Sequence, residues 1–155
     1  MITLYEMPSL VTDKLKYLLV SLQKSRKVYE QMAFTLKNRQ LRLTIIGLAQ
    51  ESRQYATELD SYVTTLGLET ERMETGLEFS DDSSPEGKDW ICLEEEKDIL
   101  HWCAKSEKAL LKVYREVLNE PFLNEGVRKM MRYQLNGMMH SFAQLKLLYA
   151  SLRTA

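Results

Sequence analysis

The sequence predicts an all-α protein: four long helices in one bundle, with a single long crossover between the second and third. Three observations carry that prediction. Four segments repeat apolar residues at alternating steps of four and three, the spacing that draws one stripe along an α-helix. The 155 residues include only six glycines and three prolines, and no proline falls inside the four segments. The breaks between segments run short, long, short, and strand-like alternation is absent.

The first helix is expected over about residues 10–37, striped by Val11, Leu15, Leu18, Leu22, Tyr29, Met32 and Leu36, with Pro8-Ser9 marking its start. A short turn at Lys37-Asn38-Arg39-Gln40 follows, with Asn38 expected to cap the end of the first helix. The second helix, about 40–66, carries Leu41, Ile45, Leu48, Tyr55, Leu59 and Tyr62, and Gly67 stops it. The third, about 90–118, carries Leu100, Cys103, Leu110, Tyr114 and Val117. Pro121 then breaks the chain, because it lacks a donor and pushes the preceding residue out of α geometry. The fourth, about 124–152, carries Val127, Met131, Met138, Leu145, Leu148 and Leu152. Each run covers about 26 residues, roughly 39 Å of helix. Equal helices with one stripe each bury those stripes best as a four-helix bundle, so residues 1–155 are read as a single domain.

The connection at 67–89 is 23 residues long, far more than an antiparallel hairpin needs. Extended, it reaches at most about 76 Å, enough to run the length of a ~39 Å bundle. A short–long–short pattern is that of a ferritin-like bundle, in which one crossover spans the full height, and this is preferred to the alternative, a loose insertion in an up-down-up-down bundle. The region is also acidic: Met73 to Asp98 holds ten Asp or Glu and two Lys. A solvated loop and helix start accounts for this better than a docking surface for a basic partner, and the run lacks the spacing of a calcium loop.

Composition excludes several classes. With 21 basic and 22 acidic residues the formal charge is −1, which argues against nucleic-acid binding. No apolar stretch approaches the ~20 residues that span a bilayer, and the start of the chain lacks the pattern of a signal peptide. Cys92 and Cys103 lie 11 residues apart, about 16 Å on one helix, too far for a disulfide. A cytoplasmic protein without membrane association is expected.

Polar residues interrupt the stripes at mid-height. Counting from the two hairpins, Ser25, Ser52, Glu107 and Gln134 converge on one layer, bordered by Tyr29, Tyr55 and Tyr114. These seven residues are the candidate ligand site. Di-iron bundles place a Glu on each of two helices and a Glu-x-x-His pair on each of the other two. Here Gln54 stands three after Glu51, and Gly137 three before His140. At 100° per residue, Glu30, Glu51 and His140 point about 85° or more off their stripes, leaving Glu107 as the one central carboxylate. A di-iron or di-manganese centre is therefore disfavoured, no cofactor or metal ligand is assigned, and no catalytic residue emerges. Glu107 is expected to take hydrogen bonds from Gln134, Ser52 and the tyrosines, or to pair with Arg26. Trp90 and Trp102 are expected to cover a bundle end or an oligomer contact. Gly47 and Gly137 hint at close helix approach, and the methionines around Met131 and Met138 read as core filler.

The segments Tyr29-Glu30-Gln31-Met32-Ala33, Glu51-Ser52-Arg53-Gln54-Tyr55-Ala56-Thr57-Glu58-Leu59 and Ile99-Leu100-His101-Trp102-Cys103-Ala104-Lys105-Ser106-Glu107, with Tyr114 and Leu118, resemble an uncharacterised bacterial family of ferritin-like four-helix bundles. The likeness spans roughly residues 10–150. It implies a ferritin-like fold in a bacterial cytoplasmic protein and no established activity. The chain departs from the family pattern at Lys24, Ser25 and Ser106, so Cys103 and Glu107 alone carry over, without an assigned role. The expectation is a non-catalytic binding, scaffolding or stress-related module with a protein partner or a second copy of itself as a dimer. The alternative is a metal-handling protein with an altered mid-bundle site.

Overall fold

A computed structural model describes residues 9–65, 96–121 and 123–154. Four helices form: α1 (Ser9–Thr35), α2 (Arg39–Thr65), α3 (Glu96–Leu118) and α4 (Glu125–Thr154). The first two helices end within two residues of expectation, and α4 runs two residues further. The expected start of the third helix at residue 90, the crossover at 67–89, Trp90 and Cys92 lie outside the described residues. No helix among the described residues is long and apolar enough to cross a membrane.

The helix ends have identifiable causes. Asn38 caps the start of α2 rather than the end of α1: Leu41 N–H donates to its Oδ1 at 3.0 Å. An Asn side chain takes an orphan donor at a helix start as readily as its backbone adopts a left-handed turn, and the sequence alone does not choose. Asn124 caps α4 in the same way, accepting from Gly126 N–H at 2.8 Å. Arg128 reaches back to the end of α3 and donates to the carbonyls of Leu118 (2.7 Å) and Glu120 (2.9 Å), groups a helix terminus leaves unpaired.

Side-chain contacts give the topology. Lys14 on α1 meets Glu120 beyond the end of α3, while Tyr29 meets Trp102 near its start, so α1 and α3 are antiparallel. Ser141 meets Glu51, and Tyr62 lies over Gly126, so α2 and α4 are antiparallel. Each helix packs on two neighbours, in the ring order α1, α2, α4, α3. With tight turns joining α1 to α2 and α3 to α4, helices α2 and α3 must be parallel and diagonally opposed. The segment between Thr65 and Glu96 therefore leads from one end of the bundle to the other, as in a ferritin-like bundle.

The stripes meet in one core that includes Leu15, Leu18, Met32, Ile45, Leu59, Val117 and Met131. Trp102 belongs to it: its ring stands edge-on to Tyr29 with centroids 6.1 Å apart, not at a bundle end. Its burial shifts the inner face of α3 toward α1. Gly137 does mark a close approach, since an added Cβ would overlap the Tyr55 hydroxyl. Gly47 does not, having nothing within 4 Å of such a Cβ.

This contrast is testable by urea denaturation. Gly137→Ala should cost about 1–2 kcal/mol, because the overpacking penalty exceeds the gain in helix propensity. Gly47→Ala should gain about 0.5–1 kcal/mol. Equal stabilisation by both would show that Tyr55 does not sit over Gly137.

Candidate functional site

All seven residues of the expected polar layer are buried; Ser52 lies on the buried face of α2, and the other six divide among three places. The first is a network where α2, α3 and α4 meet. Gln134 is fully buried, so each polar atom of its amide needs a partner. Its Oε1 accepts from the Tyr114 hydroxyl at 2.7 Å. Its Nε2 donates to the Tyr55 carbonyl at 3.2 Å and to Glu58 Oε1 at 3.1 Å. One turn along, the Tyr55 hydroxyl (3.1 Å) and the Ser141 hydroxyl (2.9 Å) both donate to Glu51 Oε2. Helical angle puts Glu51 off its stripe, and neither Glu58 nor Ser141, though Ser141 falls on the stripe of the fourth helix, is among the seven expected site residues. Helical angle locates a Cα, whereas a glutamate on the flank can reach inward along its methylenes. The signal that could have found it is the pairing of Glu51 and Tyr55 at i, i+4 on α2, opposite the gap left by Gly137.

The second place is the α1–α3 seam. Ser25 on α1 and Ser106 on α3 each lie one turn from the Tyr29–Trp102 contact. Both serines are buried, and neither hydroxyl has a hydrogen-bond partner among the described residues.

Glu107 occupies the third place, on the α4 side of α3. It is not at the centre of the layer, and its neighbours are not all uncharged. Burial of Trp102 and Ser106 turns α3 so that Glu107 falls on the flank. Its Oε1 lies 3.1 Å from Lys146 Nζ. Arg26, considered as its partner, pairs instead with Glu30 at 3.4 Å, an exposed i, i+4 contact. Glu107 and Lys146 share a cleft of about 310 Å³ with apolar walls from Leu100, Ala104, Phe142 and Leu145, and with His101 and Tyr149. Glu107 is only 8 % exposed, and the Lys146 side chain is 64 % exposed.

Electrostatics separate the sites. Burial raises the Glu51 carboxyl above its ordinary 4.5, against the partly offsetting hydrogen bonds from Ser141 and Tyr55 and the charge of His140. Burial, reinforced by nearby tyrosines and carboxylates, also lifts the Tyr114 and Tyr55 phenols well above 10.0, so both stay protonated donors at neutral pH. Burial alone pushes the Cys103 thiol up to about 12, which leaves little of the nucleophilic thiolate. No group of three or more His, Cys, Asp or Glu among the described residues is arranged to hold a metal ion.

The Glu51 shift has a definite sign. The folded state holds the proton more tightly than the unfolded chain, so the carboxyl costs nothing below pH 4.5 and reduces stability as pH rises through its folded value. Relative to the native chain, Glu51→Gln should therefore grow more stable between pH 4.5 and 7, with denaturation midpoints as the measurement. A difference that stays constant over that window would show that the carboxylate is not desolvated.

Comparison with known proteins agrees with this architecture. The fold is similar to that of a hypothetical protein from Pyrococcus furiosus, with a TM-score of 0.69 and 20 % identity, covering 99 % of this chain and 98 % of that one. At such identity the likeness speaks for the fold alone. No curated protein matches the sequence. The family model that matches residues 10–120 spans helices α1, α2 and α3 and takes in Glu51, Tyr55, Cys103, Glu107 and Tyr114, the residues on which the resemblance was drawn. The chain thus belongs to the family described as Domain of unknown function (DUF2383).

Proposed function

We propose that the protein is a non-catalytic binding module and that the α3–α4 cleft holds its ligand. The observation that carries this reading is the position of Glu107: a buried carboxyl in the wall of a surface cleft, countered by a lysine that stands mostly in solvent. The cleft volume of about 310 Å³ is at the small end of ligand pockets, and its mix of apolar walls with a few polar groups is typical of them. The inner network supports the same reading from the other side. Its amide, phenols and carboxylates are engaged with one another and act as structure.

In this reading the chain needs no resident cofactor. The alternative, a metal-handling bundle with an altered mid-height site, has Glu51 and Glu58 near the layer in its favour. Against it, Glu51 is committed to Tyr55 and Ser141, Glu58 to Gln134, and His140 is exposed. Self-association as a dimer has weaker support than the cleft. The exposed Phe34, Leu43, Tyr133 and Leu147 lie on three different helices, α1, α2 and α4, and exposed apolar residues are common on monomer surfaces.

Two measurements check the proposal. Phenylalkyl probes, one neutral, one cationic and one anionic, are titrated into the full chain. At least one should shift backbone amide signals around Leu100, Ala104 and Leu145, and Ala104→Phe should abolish the shifts without loss of helical circular dichroism. Aerobic incubation with ferrous iron and desalting should leave well under stoichiometric iron. Stoichiometric iron that is lost in Glu51→Ala or Glu58→Ala would overturn the reading in favour of the metal-handling alternative.

A further inference from the structure

We infer that the α3–α4 cleft takes a small organic cation, an amine with an apolar body, whose ammonium replaces that of Lys146 on Glu107. The inference rests on the cleft being the binding site and adds the chemical class of its ligand.

The argument starts from the asymmetry of the ion pair. Glu107 is buried, so its charge needs a permanent counter-charge. Lys146 supplies one at 3.1 Å from a side chain that is 64 % exposed. An ammonium on a flexible four-carbon stem, already mostly in water, can give up such a contact when another cation takes its place on the acid. The pair is therefore an exchangeable plug on a fixed acid.

Ligand charge then decides what the cleft accepts. An anion could pair with Lys146 only by drawing it away from Glu107, leaving a buried carboxylate uncompensated. A neutral molecule would leave the plug in place and the mouth narrowed. A cation keeps Glu107 compensated, frees Lys146 to full hydration, and lays its apolar body along Leu100, Ala104 and Leu145. Phe142 and Tyr149 also line the cleft, and aromatic rings are side chains that attract ammonium groups.

The test uses the full chain and three probes of one shape: 2-phenylethylamine, 2-phenylethanol and 3-phenylpropanoate, followed by amide shifts at the cleft. The amine should bind most tightly of the three. Glu107→Gln should weaken amine binding at least about ten-fold, the loss expected when a buried charge-assisted contact is removed. Lys146→Met, shown to keep its helical circular dichroism because it takes the counter-charge from Glu107, should strengthen it at least about two-fold by removing the internal competitor. Tighter binding of the propanoate, indifference of the amine to Glu107→Gln, or weakening by Lys146→Met would each overturn the inference. If the alcohol or the propanoate shifts the cleft signals and the amine does not, the ligand class fails while the cleft stands. If none of the three does, both fail.

Discussion

A buried amide that cannot be left unpaired organises the centre of this bundle. Gln134 has no contact with water, and an unmade hydrogen bond at such a site costs about 1–3 kcal/mol per group. Its partners come from two other helices: the Tyr114 hydroxyl on α3, and the Tyr55 carbonyl and Glu58 carboxylate on α2. A slide of one helix turn between any of these helices would separate the donors from the acceptors. Apolar stripes tolerate such a slide far better, because Leu on Leu is nearly as favourable one turn away. The amide therefore supplies register where the stripes supply cohesion. Gly137, three residues further along α4, extends the constraint by giving the Tyr55 ring the room it needs to reach Glu51.

The same constraint distributes the acids. Glu58 and Glu51 are drawn toward the interior because Gln134, Tyr55 and Ser141 offer donors there. Glu107 finds its partner at the surface, in Lys146. The bundle thus has half-buried carboxylates on α2 that are tied into its structure and, among the described residues, one buried carboxylate that faces an opening. This division separates holding the helices in register from receiving something else. On the remaining seam, Tyr29 and Trp102 fill the space between α1 and α3 edge to face, with the small Ser25 and Ser106 one turn away.

Much of this was legible in the residues, for local reasons. The four stripes follow from side-chain periodicity, and the buried state of Ser25, Ser52, Tyr55, Tyr114 and Gln134 follows from their places on those stripes. Where the reading went astray, the missing quantity was relational. Asn38 can cap an end or a start, and its side chain caps α2. Trp102 looked peripheral until its burial against Tyr29 turned the inner face of α3 toward α1. That turn is what moved Glu107 from the supposed centre to the cleft wall. Glu51 was set aside by angle, although its length and the gap at Gly137 bring its carboxylate to the interface with α4.

Periodicity, composition and turn residues by themselves determined that this chain makes four long helices, that their stripes pack together, and that the middle connection is long enough to cover the full height. Those properties depend on each residue and its neighbours within a turn or two. Which seam each polar side chain faces was decided only by the tertiary structure. The ring order α1, α2, α4, α3 sets which helices flank each position, and a hydrogen bond or ion pair exists only when two such positions meet at the same height. Gln134 with Glu58 and Glu107 with Lys146 are pairings of that kind, and the cleft is the space left where the second of them reaches the surface.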